Sequence, residues 1–171
     1  EDDGLNNLTV YNSEIIMLTR PGSYTWLQEI IDNLNGSELN LTQNVTFNAT
    51  YDLHVNNPYV QKHVNFTYGM LYNKTFTLNG KGYTISGNNQ ARIFNITVSD
   101  IAIKNISLVN GSSDNGAALY VSGGFNNITI DHVNFTGNDA SSCGGGIYFK
   151  ADGQNILINN SLCQTERSIR D

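Results

Sequence analysis

The sequence repeats itself, and the repeat limits what the chain can fold into. Ile101, Ile103, Ile106 and Leu108 can be laid over Ile128, Ile130, Val133 and Phe135 by one constant shift, and apolar matches apolar at all four positions. A third copy follows at nearly the same interval: Ile156 and Ile158 keep the pattern, Ser161 breaks it and Cys163 stands where Phe135 stood. A looser, earlier copy reads Phe76, Leu78, Tyr83 and Ile85, with two extra residues around the Gly80-Lys81-Gly82 turn. A second column keeps the same register, since Leu119-Tyr120-Val121 precedes Ile147-Tyr148-Phe149 by that interval again. Self-similarity at a fixed period of about 27 residues is the signature of stacked supersecondary units.

Within each copy apolar and polar residues alternate with period 2, as in a strand with one buried face. The parity slips by one across Lys104-Asn105, which predicts a corner. Short strands separated by Gly, Asn and Ser turns cannot bury their inner faces alone, but stacked turn upon turn they enclose a continuous apolar column. The predicted fold is therefore all-β, a parallel β-helix or solenoid. Asn105, His132 and Asn160 form its corner ladder, where short polar side chains satisfy backbone groups left over by the bend. A meander or β-sandwich is the competing architecture, and constant spacing with matched residue types argues against it.

Five segments follow. Residues 1–22 are an N-terminal extension. Residues 23–36 read as a capping α-helix: Trp26, Leu27, Ile30, Ile31 and Leu34 make one apolar stripe, Thr25 with Gln28 suits a capping box with Ser23 as rival N-cap, and Asn35-Gly36 supplies a stop. Its role would be to cover one open end of the stack. Residues 37–75 form a first irregular coil, with Leu39, Leu41, Val45 and Phe47 in strands and a long loop from Asn48 to Tyr68. Residues 76–163 carry the regular coils, each of roughly 25 to 28 residues, a length usual for solenoid repeats. Residues 164–171 lose both columns and turns, which reads as a diverging tail or as the edge of a longer protein. The bare last coil is expected to self-associate.

Composition narrows the function. Of 171 residues 26 are Asn and 16 Gly, while charged residues make up only 14%, so polarity comes from amides and hydroxyls. A net charge of −6 argues against nucleic acid or an anionic membrane surface as partner, since both need clustered Lys and Arg. No apolar run approaches the roughly 18 to 20 residues needed to span a bilayer. Cys143 and Cys163 lack zinc spacing, and the repeat does not stack one on the other; a disulfide between them stays open.

The motifs LNGKGYTISGNNQARIFNI (78–96), IAIKNISLVNG (101–111), NGAALYV (115–121) and GGGIYF (144–149), preceded by SYTWLQEIIDNLNGSELNLTQNVTF, together resemble the adhesin-like surface proteins of methanogenic archaea. These belong to the pectate-lyase-like group of right-handed β-helices. The resemblance covers residues 23 to 163. It implies an exported, cell-surface, right-handed solenoid with a role in attachment, and it implies no catalytic residue and no defined ligand.

An enzyme of this architecture needs grouped carboxylates, either to hold Ca2+ against an acidic sugar or to act as an acid/base pair. The repeat scatters them. Asp100 falls in the column of Asn127 and Asn155, and Asp131 beside Lys104 as an outward surface pair. Asp114 and Asp139, with Asn115 and Asn138, come closest together and form a weak Ca2+ candidate whose ordinary explanation is turn formation; no other cofactor or metal is expected. His54, His63 and His132 lack ligand spacing. The Gly144-Gly145-Gly146 run has no following Lys-Ser/Thr and predicts close packing rather than a phosphate loop. Thirteen N-x-S/T sequons occur where about four are expected from composition; Asn44, Asn48, Asn65 and Asn73, in the exposed irregular region, are the glycosylation candidates.

The expected function is therefore a non-enzymatic, extracellular or cell-surface module for attachment to other cells, through surface glycans or partner-cell surface proteins, with Tyr120 and Tyr148 as a shallow sugar-binding strip. A fragment of a polysaccharide lyase or hydrolase is the alternative, and a purely structural stalk a third.

Overall fold

The computed structural model describes residues 8–11, 14–17, 20–123, 125–150, 152–164 and 167–168. In chain order the elements are β1 (Leu8–Tyr11), β2 (Glu14–Met17), α1 (Tyr24–Asp32), β3 (Glu38–Asn40), β4 (Val45–Thr46), α2 (Ala49–Asp52), α3 (Pro58–Gln61), a 3-10 turn (Phe66–Tyr68), β5 (Met70–Tyr72), β6 (Thr77–Asn79), β7 (Thr84–Ser86) and β8 (Phe94–Ile96). Then follow β9 (Ile101–Val109), β10 (Ser112–Asn115), β11 (Leu119–Val121), β12 (Phe125–Thr136), β13 (Asp139–Cys143), β14 (Ile147–Phe149), β15 (Gly153–Asn159), β16 (Leu162–Gln164) and β17 (Arg167–Ser168). Apart from the antiparallel pair β1–β2, the strand pairings are parallel, and they build a β-solenoid of about three turns.

The repeat dictates the pairing. Ile101, Ile103, Ile106 and Leu108 lie directly beside Ile128, Ile130, Val133 and Phe135, and the next turn places Ile156, Ile158 and Cys163 beside Ile128, Ile130 and Phe135. Strand β9 alternates buried and partly exposed residues and changes parity at Lys104-Asn105, the predicted corner. The second column is Met70, Phe94, Leu119 and Ile147, with Tyr72, Ile96, Val121 and Phe149 two residues on. These columns face each other across one continuous core.

Corners explain the asparagines. Asn105, His132 and Asn160 have φ of 52°, 52° and 46°, in the left-handed region that Asn, Asp and His adopt more readily than other non-glycine residues. Asp100, Asn127 and Asn155 make a second such column at 58°, 57° and 55°, and Gly116 and Gly144 a third at 58° and 64°. In the Asp100 column the side chains are bonded in series: Asn127 Nδ2 donates to Asp100 Oδ1 at 2.6 Å and Asn155 Nδ2 to Asn127 Oδ1 at 3.0 Å.

One predicted column member lies elsewhere. Tyr83 is 36% exposed, and the place beside Ile106 is taken by Gly80, where an added Cβ would meet the Ile106 Cβ at 2.4 Å. The two extra residues fall between Asn79 and Thr84, around the Gly80-Lys81-Gly82 turn as expected, and Leu78 and Ile85 keep their registers with Ile103 and Leu108.

The helix α1 packs its Leu27 and Ile31 into the core. Ser23 is the N-cap, its Oγ accepting from Trp26 N at 3.1 Å. Gln28 forms no capping box. Its amide pairs with the backbone of Leu71, Oε1 accepting from N at 2.7 Å and Nε2 donating to O at 3.2 Å, so that one side chain closes the open edge of β5 as a neighbouring strand would. The segment from Asn48 to Tyr68 is not a plain loop but α2, α3 and the 3-10 turn, capped by Asn48, Asn57 and Asn65, and Asp52 ties α2 to α1. This fully buried carboxylate accepts from Thr25 N at 2.9 Å, Thr25 Oγ1 at 2.7 Å and Asn48 N at 2.8 Å, capping α1 from outside. Burial raises the Asp52 pKa, and the backbone N–H donors of Asn48, Thr25 and Tyr24 and the Thr25 hydroxyl oppose the rise. Beyond residue 163 the repeat continues at β17, where Arg167 and Ser168 lie beside Asp139 and Ala140.

Candidate functional site

The densest group of functional side chains stands on the sheet β14-β11-β8-β5 and the turns beside it. Because Phe94, Leu119 and Ile147 point inward, their neighbours Leu71, Asn95, Tyr120 and Tyr148 form an outward row, one per turn of the solenoid. The Tyr120 and Tyr148 rings stack at 5.5 Å between centroids with 18° between planes. The guanidinium of Arg92 lies over the Tyr120 ring at 4.5 Å. Tyr120 is thus held between a cation and a second ring, an arrangement that favours both contacts electrostatically.

Arg92 has been drawn inside to do this. Its side chain is only 6% exposed, and burial lowers its pKa while the neighbouring Asp114 raises it. Each nitrogen has an acceptor: Nε bonds Gly116 O at 3.1 Å, Nη1 bonds Tyr68 O at 3.1 Å, and Nη2 bonds Ser113 Oγ at 2.6 Å, Asn115 O at 2.8 Å and Asp114 Oδ1 at 2.9 Å. A buried cation that gathers three carbonyls from two loops fixes both loops against the sheet. The Asp114 carboxyl, 74% exposed, also accepts from Asn115 N at 2.8 Å and Ser113 Oγ at 3.0 Å. The Asn115 N–H, then the Ser113 hydroxyl and the Arg92 charge, hold its pKa below the usual carboxylate range. These contacts all fall on Oδ1, leaving Oδ2 toward solvent without a partner among the described residues.

The other candidates are dispersed. Asp139 is in register with Ser112, not with Asp114, so the two carboxylates of the Ca2+ candidate do not lie opposite each other. Asn138, its expected helper, is fully buried and ties the backbone together, Oδ1 accepting from Gly111 N at 2.8 Å and Nδ2 donating to Leu108 O at 3.0 Å. Among the described residues no three His, Cys, Asp or Glu side chains gather as a metal-holding group. Lys104 and Asp131 are register partners, but their charges meet others: Lys104 Nζ is 3.9 Å from Glu38 Oε1, and Asp131 Oδ1 is 3.0 Å from His132 Nδ1 and accepts from Asn160 Nδ2 at 3.1 Å. Cys143 lies beside Asn115 and Cys163 beside Phe135, on different sheets, and no disulfide joins them.

Sequence reasoning missed Arg92 and Asp52. The signal for Arg92 was present, a lone cation in the run Ala91-Arg92-Ile93-Phe94 whose neighbours are all apolar. No helix among the described residues is long and apolar enough to cross a membrane. No family model matches the chain, and no curated protein or solved structure matches it either.

Proposed function

We propose that the chain is a non-enzymatic attachment module of an extracellular or cell surface, which binds surface glycans through the Arg92–Asp114–Tyr120–Tyr148 face. The observation that carries the proposal is the clamped Tyr120: with Arg92 on one side and Tyr148 on the other, the aromatic row is rigid before any ligand arrives, so little side-chain entropy is lost on binding. A sugar ring offers C–H groups to an aromatic surface and hydroxyls to polar ones. The Tyr148 ring supplies the first, and the second comes from Asp114 Oδ2, the tyrosine hydroxyls and Asn95. The resemblance of the repeat motifs to the adhesin-like surface proteins of methanogenic archaea supports the same role.

Binding of the 171-residue chain to an array of neutral and acidic glycans tests the proposal. Signal is expected on a subset of glycans, and Tyr148→Ala and Asp114→Ala should each weaken it about tenfold, equivalent to roughly 1.4 kcal/mol. A blank array, or binding unchanged in both variants, would contradict it. In a parallel incubation with polyuronates and neutral polysaccharides, with and without Ca2+, no unsaturated or reducing ends should appear; their appearance would instead make the chain part of a lyase or hydrolase.

A further inference from the structure

The sequons do not share one environment. Asn105 and Asn127 sit at left-handed corners and commit their amide N–H to neighbouring turns, Asn105 Nδ2 to Asn79 Oδ1 at 3.3 Å and Asn127 Nδ2 to Asp100 Oδ1 at 2.6 Å. A sugar on either nitrogen would project into the adjoining turn, about 4.8 Å away. Asn65 is arranged the other way round. All three are exposed, but the Asn65 Oδ1 is turned back onto its own sequon, accepting from Thr67 N at 3.0 Å and Thr67 Oγ1 at 2.8 Å. The amide oxygen is thereby fixed, and Nδ2 is left without a partner among the described residues. Beside it lies a hollow of about 380 Å3, within the size range of small-molecule pockets, lined by Leu53, Val60, His63, Val64 and Asn65 itself.

We infer that Asn65 carries an N-linked glycan and that its first sugar packs its apolar face into this hollow, while Asn105 and Asn127 remain bare in the folded protein. The inference rests on the export that the proposed function assumes, but not on glycan binding by the tyrosine face. The donor would be an oligosaccharide carried on a lipid diphosphate. The Nδ2–C1 bond forms as the C1–O bond to phosphate breaks, the lipid diphosphate departs, and one Nδ2 proton passes to the base of the transferase. Oδ1 keeps both bonds to Thr67 throughout, so the modification breaks no contact of the fold.

The test is glycopeptide mass spectrometry of the full chain secreted, behind an added leader, from a host that glycosylates N-x-S/T sequons. Occupancy is expected at Asn65 and not at Asn105 or Asn127, and Thr67→Ala should abolish it while Thr67→Ser retains it. Trimming to a single sugar should leave the melting midpoint unchanged, whereas amidase removal of the whole glycan, which converts Asn65 to an aspartate still able to accept from Thr67, should lower it by ~2–4 °C. A bare Asn65, or occupied Asn105 or Asn127 in folded material, overturns the site assignment. A midpoint unmoved by complete removal overturns the packing of the sugar. Neither result bears on the glycan array with unglycosylated protein, so this inference and the proposed function fail separately.

Discussion

At position 132 a histidine holds φ of 52°, and Asn105 and Asn160 above and below it hold nearly the same angle. The left-handed conformation costs an ordinary L residue roughly 1–2 kcal/mol and a β-branched one more, whereas glycine adopts it freely. His132 is exposed, so its replacement tests the backbone and not the packing. His132→Gly should therefore leave stability within about 0.5 kcal/mol of the parent or raise it, and His132→Val should lower it by ~1–2 kcal/mol, as read from urea unfolding midpoints. Equal losses in both variants would mean that the imidazole, through its contact with Asp131, matters more than the angle. The corner position was legible in the sequence because Asn and His recur at a fixed spacing where the apolar parity slips. The side chains expected to satisfy backbone groups bond other side chains instead, Asn105 to Asn79 and His132 and Asn160 to Asp131, and what the corner asks of these residues is the left-handed angle. Arg92 stood out only as a lone cation in an apolar run; its role was not legible, since that comes from Ser113 to Gly116 being carried back alongside it by the winding. Asp52 was hidden for the same reason: the groups it satisfies belong to residues 24, 25 and 48, mostly remote in sequence.

Among the elements, the long strands β9 and β12 were readable because their length gives period 2 enough room to show itself. Three-residue strands such as β5 and β8 carry only two inward residues each and cannot be told from loop by periodicity. The four-residue helices α2 and α3 exist because Asn48 and Asn57 cap them and because Asp52 and Asn57 tie them to Thr25, not because of a helical apolar stripe. The two extra residues were legible in the Gly80-Lys81-Gly82 turn, but Tyr83 was expected in the inward column on apolar character alone, and only the closeness of the turns shows that Gly80, without a Cβ, packs against Ile106 instead. Within one inward column burial also varies along the axis. Ile103 and Ile130 are 0% and 1% exposed, but Ile158, next in line, is 50% exposed. Truncating a fully buried isoleucine typically costs ~2–5 kcal/mol, so Ile130→Ala should fall in that range, and Ile158→Ala should cost less than ~1 kcal/mol. Equal costs would show that the last turn is buried in solution by something that the described residues do not include.

Taken as a whole, the molecule is a tube whose wall is a parallel ladder and whose filling is shared between turns. A helix covers one end of that tube, with Gln28 completing the edge of β5. The side faces present outward rows one turn apart, and the Arg92–Tyr120–Tyr148 stack is rigid because the turns beneath it are. The proposed role of that face therefore stands on the stacking of the turns. Methyl-resolved NOE spectroscopy tests this most directly. Cross-peaks are predicted between the Ile103 and Ile130 methyl groups and between those of Leu78 and Ile103, with no strong Hα–Hα cross-peaks between β9 and β12, because parallel neighbours keep their Hα atoms apart. Absence of the Ile103–Ile130 contact, or the close Hα–Hα pairs of antiparallel strands, would contradict the account.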